Sequence, residues 1–213
     1  MLTGKGRDKR PLRQHIYELE RANPLELSCV LMAIPTIRTE RLLLREFSPR
    51  DAPSVQALAG SREVASTTLT IPHPYEDGMA DSWIEGHSAA WDDRKRLSLA
   101  IATESDGLVG AIGLHLVPKH GRAELGFWIG VPYWNRGFAT EAARGLLDYG
   151  FREIGLGRIL GRHFSRNPAS GRVLQKVGMI HEGTMRKHVL RWDELEDLEC
   201  YAILEPEWRG RKT

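Results

Sequence analysis

The sequence predicts a single mixed α/β domain. Short apolar segments separated by turn signals read as strands, and longer stretches with apolar residues at helical spacing lie between them. Composition agrees: 41% of the 213 residues are hydrophobic and 27% charged, ordinary for a globular domain with one sizeable core.

The elements follow in order. Arg41-Leu42-Leu43-Leu44-Arg45-Glu46-Phe47 reads as a buried strand. A helix starts near Pro49, with Ser48 or Asp51 available as its cap and Val55, Leu58 and Ala59 on its apolar face. Ser66-Thr67-Thr68 reads as a polar loop and Pro72-His73-Pro74 as a turn, before an amphipathic helix carrying Trp83, Ile84 and Trp91. Residues 97–103 alternate as a strand, with Leu97, Leu99 and Ile101 on one side, and Asp106-Gly107 is a hairpin signal. The returning strand, 108–116, holds Gly110 and Gly113, which suggest close backbone approach. A strand over 122–129 and a long helix from about 137 to 154 follow. Ala139, Ala142, Ala143, Leu146, Leu147, Phe151 and Ile154 mark the helix's buried face, and Gly155 stops it. A strand over 158–164, a helix over 168–177 and strands over 184–190 and 197–204 complete the order β-α-α-β-β-β-α-β-α-β-β.

Residues 1–33 read as an extension, partly helical or loosely ordered, ahead of a domain over 34–208 and a tail over 209–213. The extension opens with Lys5, Arg7, Lys9, Arg10 and Arg13 against Asp8 alone. A basic arm for RNA or an acidic partner, a loosely attached extension, and a translation start at Met32 all fit. The net charge of +2 gives no reason to expect a nucleic-acid partner. Cys29 and Cys200 lack metal-ligand spacing; free thiols and a cytoplasmic location are expected, with no metal and no membrane span.

One passage carries chemistry. In Ile129-Gly130-Val131-Pro132-Tyr133-Trp134-Asn135-Arg136-Gly137-Phe138-Ala139-Thr140-Glu141 a strand ends, a glycine-containing loop follows and a long helix begins. Amides at a helix start converge and the helix dipole adds positive potential, which suits a diphosphate. No Gly-Lys-Ser/Thr follows, so this is not a P-loop. The glycines of Gly155-Leu156-Gly157-Arg158-Ile159-Leu160-Gly161 lie between a helix and a strand, the reverse of the dinucleotide arrangement.

Tyr133-Trp134-Asn135-Arg136-Gly137-Phe138-Ala139-Thr140-Glu141-Ala142 resembles the acyl-CoA loop of the GNAT superfamily, nearest the RimJ/RimL branch of ribosomal-protein acetyltransferases. Four more segments match that branch in order: Thr39-Glu40-Arg41-Leu42-Leu43-Leu44-Arg45, Ala123-Glu124-Leu125-Gly126-Phe127-Trp128-Ile129, the stretch from Asn167 to Met179, and Asp197 through Tyr201 to Glu207-Trp208. The resemblance implies a central, mostly antiparallel sheet splayed in its middle and flanked by helices. It implies acetyl-CoA as acyl donor and a primary amine as acceptor, in a monomer or homodimer. The main chain of Phe127, Trp128, Ile129 and Gly130 would pair with the pantetheine arm. The amides of Asn135, Arg136, Gly137, Phe138, Ala139 and Thr140 would hold the diphosphate. Asn167 would bond the cofactor arm and Ser170 would sit by its sulfur. Many relatives carry a tyrosine proton donor seven residues after that asparagine; Leu174 stands here instead.

Direct attack needs a group to take the amine's proton. Glu124, which strand parity places on one face with Gly126 and Trp128, is the candidate base, with a structural carboxylate as the alternative. Ser170 is the candidate donor to the leaving thiolate, with helix capping as the alternative. His115, His120, His163 and His188 read as surface or packing residues. Trp83, Trp91, Trp128 and Trp192 read as packing or cleft wall rather than a substrate cage. The acceptor is expected to be a protein N-terminus or a small amine such as an antibiotic; a non-catalytic acyl-CoA-binding module is the reading from another class.

Overall fold

Residues 33–210 are described by the structure, a computed structural model. The extension over 1–33, with its basic cluster and Cys29, lies outside the described residues but for its last position, as do the final three residues of the tail.

An eight-stranded sheet in the order β1-β2-β3-β4-β5-β6-β8-β7 forms the middle layer. Its strands are β1 (Ile37–Arg38), β2 (Leu43–Arg45), β3 (Arg96–Thr103), β4 (Gly107–Val117), β5 (Arg122–Ile129), β6 (Arg158–Phe164), β7 (Ile180–Arg191) and β8 (Glu194–Leu204). All neighbours are antiparallel except β5 and β6, which run parallel because helix α4 (Phe138–Arg152) crosses between them. Helices α1 (Ala52–Ala59), α2 (Arg62–Ser66) and α3 (Met79–Asp92) precede β3. Helix α5 (Pro168–Lys176) follows β6, and α6 (Glu205–Arg209) follows β8.

One face of the sheet packs against α1 and α3. Phe47, Val55, Ala59, Val64, Ala80, Ile84, Leu108 and Trp128 form a single buried cluster there. On the other face α4 buries Ala142, Ala143, Leu146, Leu147 and Phe151, the residues its helical spacing selected. Each fully buried leucine contributes about 1.5–3 kcal/mol, so this stripe is a main reason α4 holds its place. The helix begins at Gly137 and is followed by Gly155, both with positive φ. Gly110 and Gly113 are required by contact: a Cβ on Gly110 would overlap the Trp128 carbonyl oxygen and one on Gly113 that of Leu97.

Five sequence expectations change. The strand over 41–47 shortens to β2, and β1 appears before it, because Thr39 turns the chain; its amide donates to the Leu42 carbonyl at 3.0 Å and its Oγ1 accepts from the Leu42 amide at 3.1 Å. The polar stretch at 66–68 is preceded by an unanticipated helix, α2, capped by Ser61 Oγ, which accepts from Val64 N. Strand β3 is buried on both faces, not one. Strands β7 and β8 are longer than their polar sequences suggested, because they pair with each other from end to end. The chain closes with α6, whose first turn holds Glu207, accepting from Leu204 N. No helix among the described residues is long and apolar enough to cross a membrane.

Candidate active site

Strands β5 and β6 part in mid-sheet. Their pairing runs from Arg122 opposite Arg158 to Leu125 opposite Gly161 and stops. Beyond that point β5 stays on β4 as far as Ile129 opposite Gly110, and β6 stays on β8 as far as Phe164 opposite Leu198. Residues 126–129 therefore have a ladder on one side only, facing a wedge-shaped gap. Gly126 is exposed in it, and Trp128 is buried on the α1 and α3 side. An unpaired strand edge offers alternating donors and acceptors to an extended chain carrying amides.

The loop from β5 to α4 closes one end of this gap. Residues 131–133 make one turn of 3-10 helix, then Asn135 (φ 61°) and Gly137 (φ 82°) adopt left-handed conformations. Trp134 is the anchor: its indole N–H donates to the Ile129 carbonyl at 2.6 Å, fastening the loop to the strand end. The Glu141 amide donates to Gly137 O at 3.1 Å, the first bond of the helix. Among the described residues, no main-chain carbonyl accepts from the amides of residues 135–140. Six donors at the positive end of a fifteen-residue helix thus gather on an exposed loop.

A carboxylate in that first turn, Glu141, would oppose an anion, but it is turned away and neutralised. It accepts from Thr39 Oγ1 (2.6 Å), the Arg41 amide (2.8 Å) and Arg41 Nε (2.8 Å), and pairs with Arg41 Nη2 (2.7 Å). Burial pushes its carboxyl up, yet these bonds outweigh burial and hold it below the ordinary value. Arg41 Nη1 also donates to the Arg136 carbonyl (3.1 Å), so β1–β2 grips the loop from behind.

Across the gap, after β6, Asn167 caps α5: its Oδ1 accepts from Ser170 N at 3.4 Å and its Nδ2 donates to Ser170 Oγ at 2.9 Å. Ser170 therefore takes part in the cap through its amide and its hydroxyl. Its hydroxyl accepts from Asn167 and keeps its own proton to donate elsewhere. Glu124 stands between the strands in a bidentate pair with Arg162 Nε (2.9 Å) and Nη2 (2.6 Å). Each carboxylate oxygen retains a further acceptor position. That bond, opposed by burial, raises the guanidinium of Arg162 above its ordinary value. The structure thus brings Glu124, the 126–129 edge, the 135–140 amides and the Asn167–Ser170 pair around one gap.

His115, His120 and His188 are exposed, while His163 is buried, stacked 5.6 Å from Tyr201 and in contact with α5 at Gly171. Of the tryptophans, Trp91 is core and Trp192 stands exposed at the β7–β8 tip. Residues that sequence reasoning did not select include Glu141, Arg162, Arg166 and Arg191. Each acts through a partner at least 38 positions away, and no local spacing announces such a pairing.

Comparison with known proteins points one way. The Acetyltransferase (GNAT) domain family matches residues 41–180. The uncharacterized N-acetyltransferase YoaA of Bacillus subtilis (strain 168) is 32% identical over 174 residues, covering 81% of this chain and 98% of that protein. An acetyltransferase of the GNAT family from Bacillus anthracis superposes with a TM-score of 0.72 at 31% identity, covering 81% of this chain and all of the other. Mycobacterium smegmatis RimJ, solved in complex with CoA-disulfide, shares the fold with a TM-score of 0.74 at 22% identity, covering 82% of this chain and 89% of its own.

Proposed function

Because the chain belongs to the GNAT family of acetyltransferases, and is an acyltransferase, we propose that it carries an acetyl group from acetyl-CoA to a primary α-amino group by direct attack. The observation that carries this reading is the parting of β5 from β6 beside six amides without main-chain partners at the start of α4. Those features fit a pantetheine amide chain and a diphosphate respectively. In this reading Phe127, Trp128, Ile129 and Gly130 pair with the arm, residues 135–140 hold the diphosphate, and Asn167 adds a bond near the thiol end.

The amine nitrogen attacks the thioester carbonyl carbon, a C–N bond forms, and the tetrahedral oxyanion collapses with loss of the thiolate. One proton leaves nitrogen for Glu124 through a bridging water and passes on to solvent, while Ser170 donates one to the departing sulfur and regains one from solvent. Any carboxylate is a weak base towards an amine's proton, which favours an acceptor that is easy to deprotonate. An α-amino group titrates at about 7.7–8.0, a lysine amine at about 10.4. A protein or peptide N-terminus fits that demand, as does the α-amine of a small molecule.

Thiol release from acetyl-CoA against a panel of short peptides with free N-termini, free amino acids and polyamines tests the reading. Turnover with α-amines above that with ε-amines is expected. Glu124→Gln is expected to lower kcat about 10- to 100-fold with acetyl-CoA affinity intact. Normal turnover of that variant across the pH range removes Glu124 from the role.

A further inference from the structure

Arg191 ends β7 at the tip of the β7–β8 hairpin, where Trp192 (φ 49°) and Asp193 (φ 66°) make the turn. Two consecutive left-handed residues suit a tight hairpin, but a bulky Trp in that region is strained. The Trp192 ring lies 4.5 Å from the Arg191 guanidinium, a contact that helps offset the strain. The guanidinium reaches across to a segment some 120 positions earlier. Nη2 donates to the carbonyls of Ala65 (2.7 Å) and Ile71 (2.6 Å), and Nη1 to that of Leu69 (3.2 Å). From the β6–α5 turn, Arg166 Nη2 donates to the Ser66 carbonyl (2.8 Å) while its Nε pairs with Glu196 (2.6 Å). Two arginines thus hold the 65–71 segment.

The place of that segment matters. Arg166 immediately precedes Asn167 on the β6 side of the gap, and Leu58 of α1 lies against Gly130 at the end of β5. The 65–71 segment, which follows α1 and is bonded by Arg166, therefore lies beside the open end of the gap. Burial, then the nearby Arg166 charge, lowers the Arg191 guanidinium below its ordinary value. Its Nε–H is enclosed without a partner among the described residues. Such a cation is tolerated in the fold because three carbonyls converge on it.

We propose that Arg191 is a positioning residue for the amine acceptor, fixing the 65–71 segment as the acceptor-side wall of the cleft. This rests on the acetyl-transfer reading above. The guanidinium's planar fork spans three carbonyls; an ammonium at the same place is a point donor and cannot reproduce that span.

The test compares wild type, Arg191→Ala and Arg191→Lys, using the acceptor that turns over fastest in the panel. In Arg191→Ala, KM for the amine is expected to rise about tenfold or more, while acetyl-CoA affinity by calorimetry stays within about twofold. Arg191→Lys is expected to fall between, and methylguanidinium to restore part of the loss in Arg191→Ala. Independently of turnover, amide exchange is expected to quicken at 66–71 and stay unchanged at 135–140. Unchanged amine KM and unchanged exchange at 66–71 overturn the assignment, as does a parallel loss of acetyl-CoA affinity. Should Arg191→Ala not fold, Arg191→Lys indistinguishable from wild type is equally decisive against it. Wild-type protein that fails to bind acetyl-CoA defeats the acetyl-transfer reading itself, a separate result.

Discussion

Around the loop before α4, nearly every part of the site comes from one stretch of chain. Ile129 receives the Trp134 indole, Asn135 and Gly137 bend the backbone, and the helix start supplies the amides. Around the 65–71 segment the parts come from positions 100 to 126 residues apart, joined by side chains of Arg166 and Arg191 to main-chain carbonyls. The first region presents main-chain donors that no side-chain substitution removes directly. The second depends on two side chains. A diphosphate is the same in every acyl-CoA, whereas acceptors differ, and in the proposed reading the more easily altered architecture would border the acceptor.

That contrast can be broken by attacking the first region. Gly137→Val places a β-branched residue at φ 82° and sets its Cβ 3.4 Å from Arg41 Nη2, combining backbone strain of about 1–2 kcal/mol with crowding of the Glu141 clamp. Acetyl-CoA affinity by calorimetry is expected to fall about 100-fold or more, with amide exchange at 66–71 as in wild type. Undiminished affinity in folded protein means that the loop does not grip the nucleotide.

A second experiment asks whether the regions fail together. His87 of α3 is 95% buried against Trp83 and Phe47, with neither ring nitrogen bonded among the described residues. Burial, with a smaller contribution from Arg96, lowers its value to about 4. An unfolded histidine titrates near 6.5, so the unfolded chain binds the extra proton first. Stability is full above about pH 6.5 and declines as pH falls towards 4, by on the order of 3 kcal/mol. Urea midpoints at pH 7 and pH 4.5 are expected to converge more closely in His87→Phe than in wild type. Because a single domain unfolds cooperatively, activity and 66–71 protection are expected to be lost at the same pH; separate losses identify the 66–71 segment as its own unfolding unit.

The smallest effect sharpens the contrast at the shared end of the gap. Ser170→Ala leaves the Asn167 cap to the residue 170 amide but removes the hydroxyl. The expected result is a loss of about three- to tenfold in kcat with little change in KM for acetyl-CoA, and recovery in Ser170→Thr. Unaltered kcat assigns the hydroxyl to capping alone.

The same contrast explains what could be read in advance. Helix α4, Gly137, Gly155 and the glycines of β4 were legible because each answers a local demand: an apolar period, a positive φ, a close backbone approach. Glu124 was legible as a residue type but not by its contact, since Arg162 reaches it only when β6 pairs with β5, whereas the contact of Ser170 with Asn167 is local, three positions apart. Helix α2 was hidden because five residues carry too little periodicity, and the full length of β7 because polar residues such as Arg191 join the strand through pairing with β8 rather than through propensity. Arg191 was not distinguishable from a surface arginine until the hairpin folded back towards α2.

The bond between Arg41 and Glu141 carries an implication for how the anion site tolerates its own sequence. A glutamate one turn into a helix is favourable for folding and unfavourable for a negatively charged guest at the same end. By drawing that charge onto a guanidinium supplied from β2's approach, the protein keeps the folding benefit and would screen a negatively charged guest from repulsion. In the proposed reading residue 41 would thereby belong to the electrostatic surroundings of the nucleotide, although nearly a hundred positions of chain separate it from the loop.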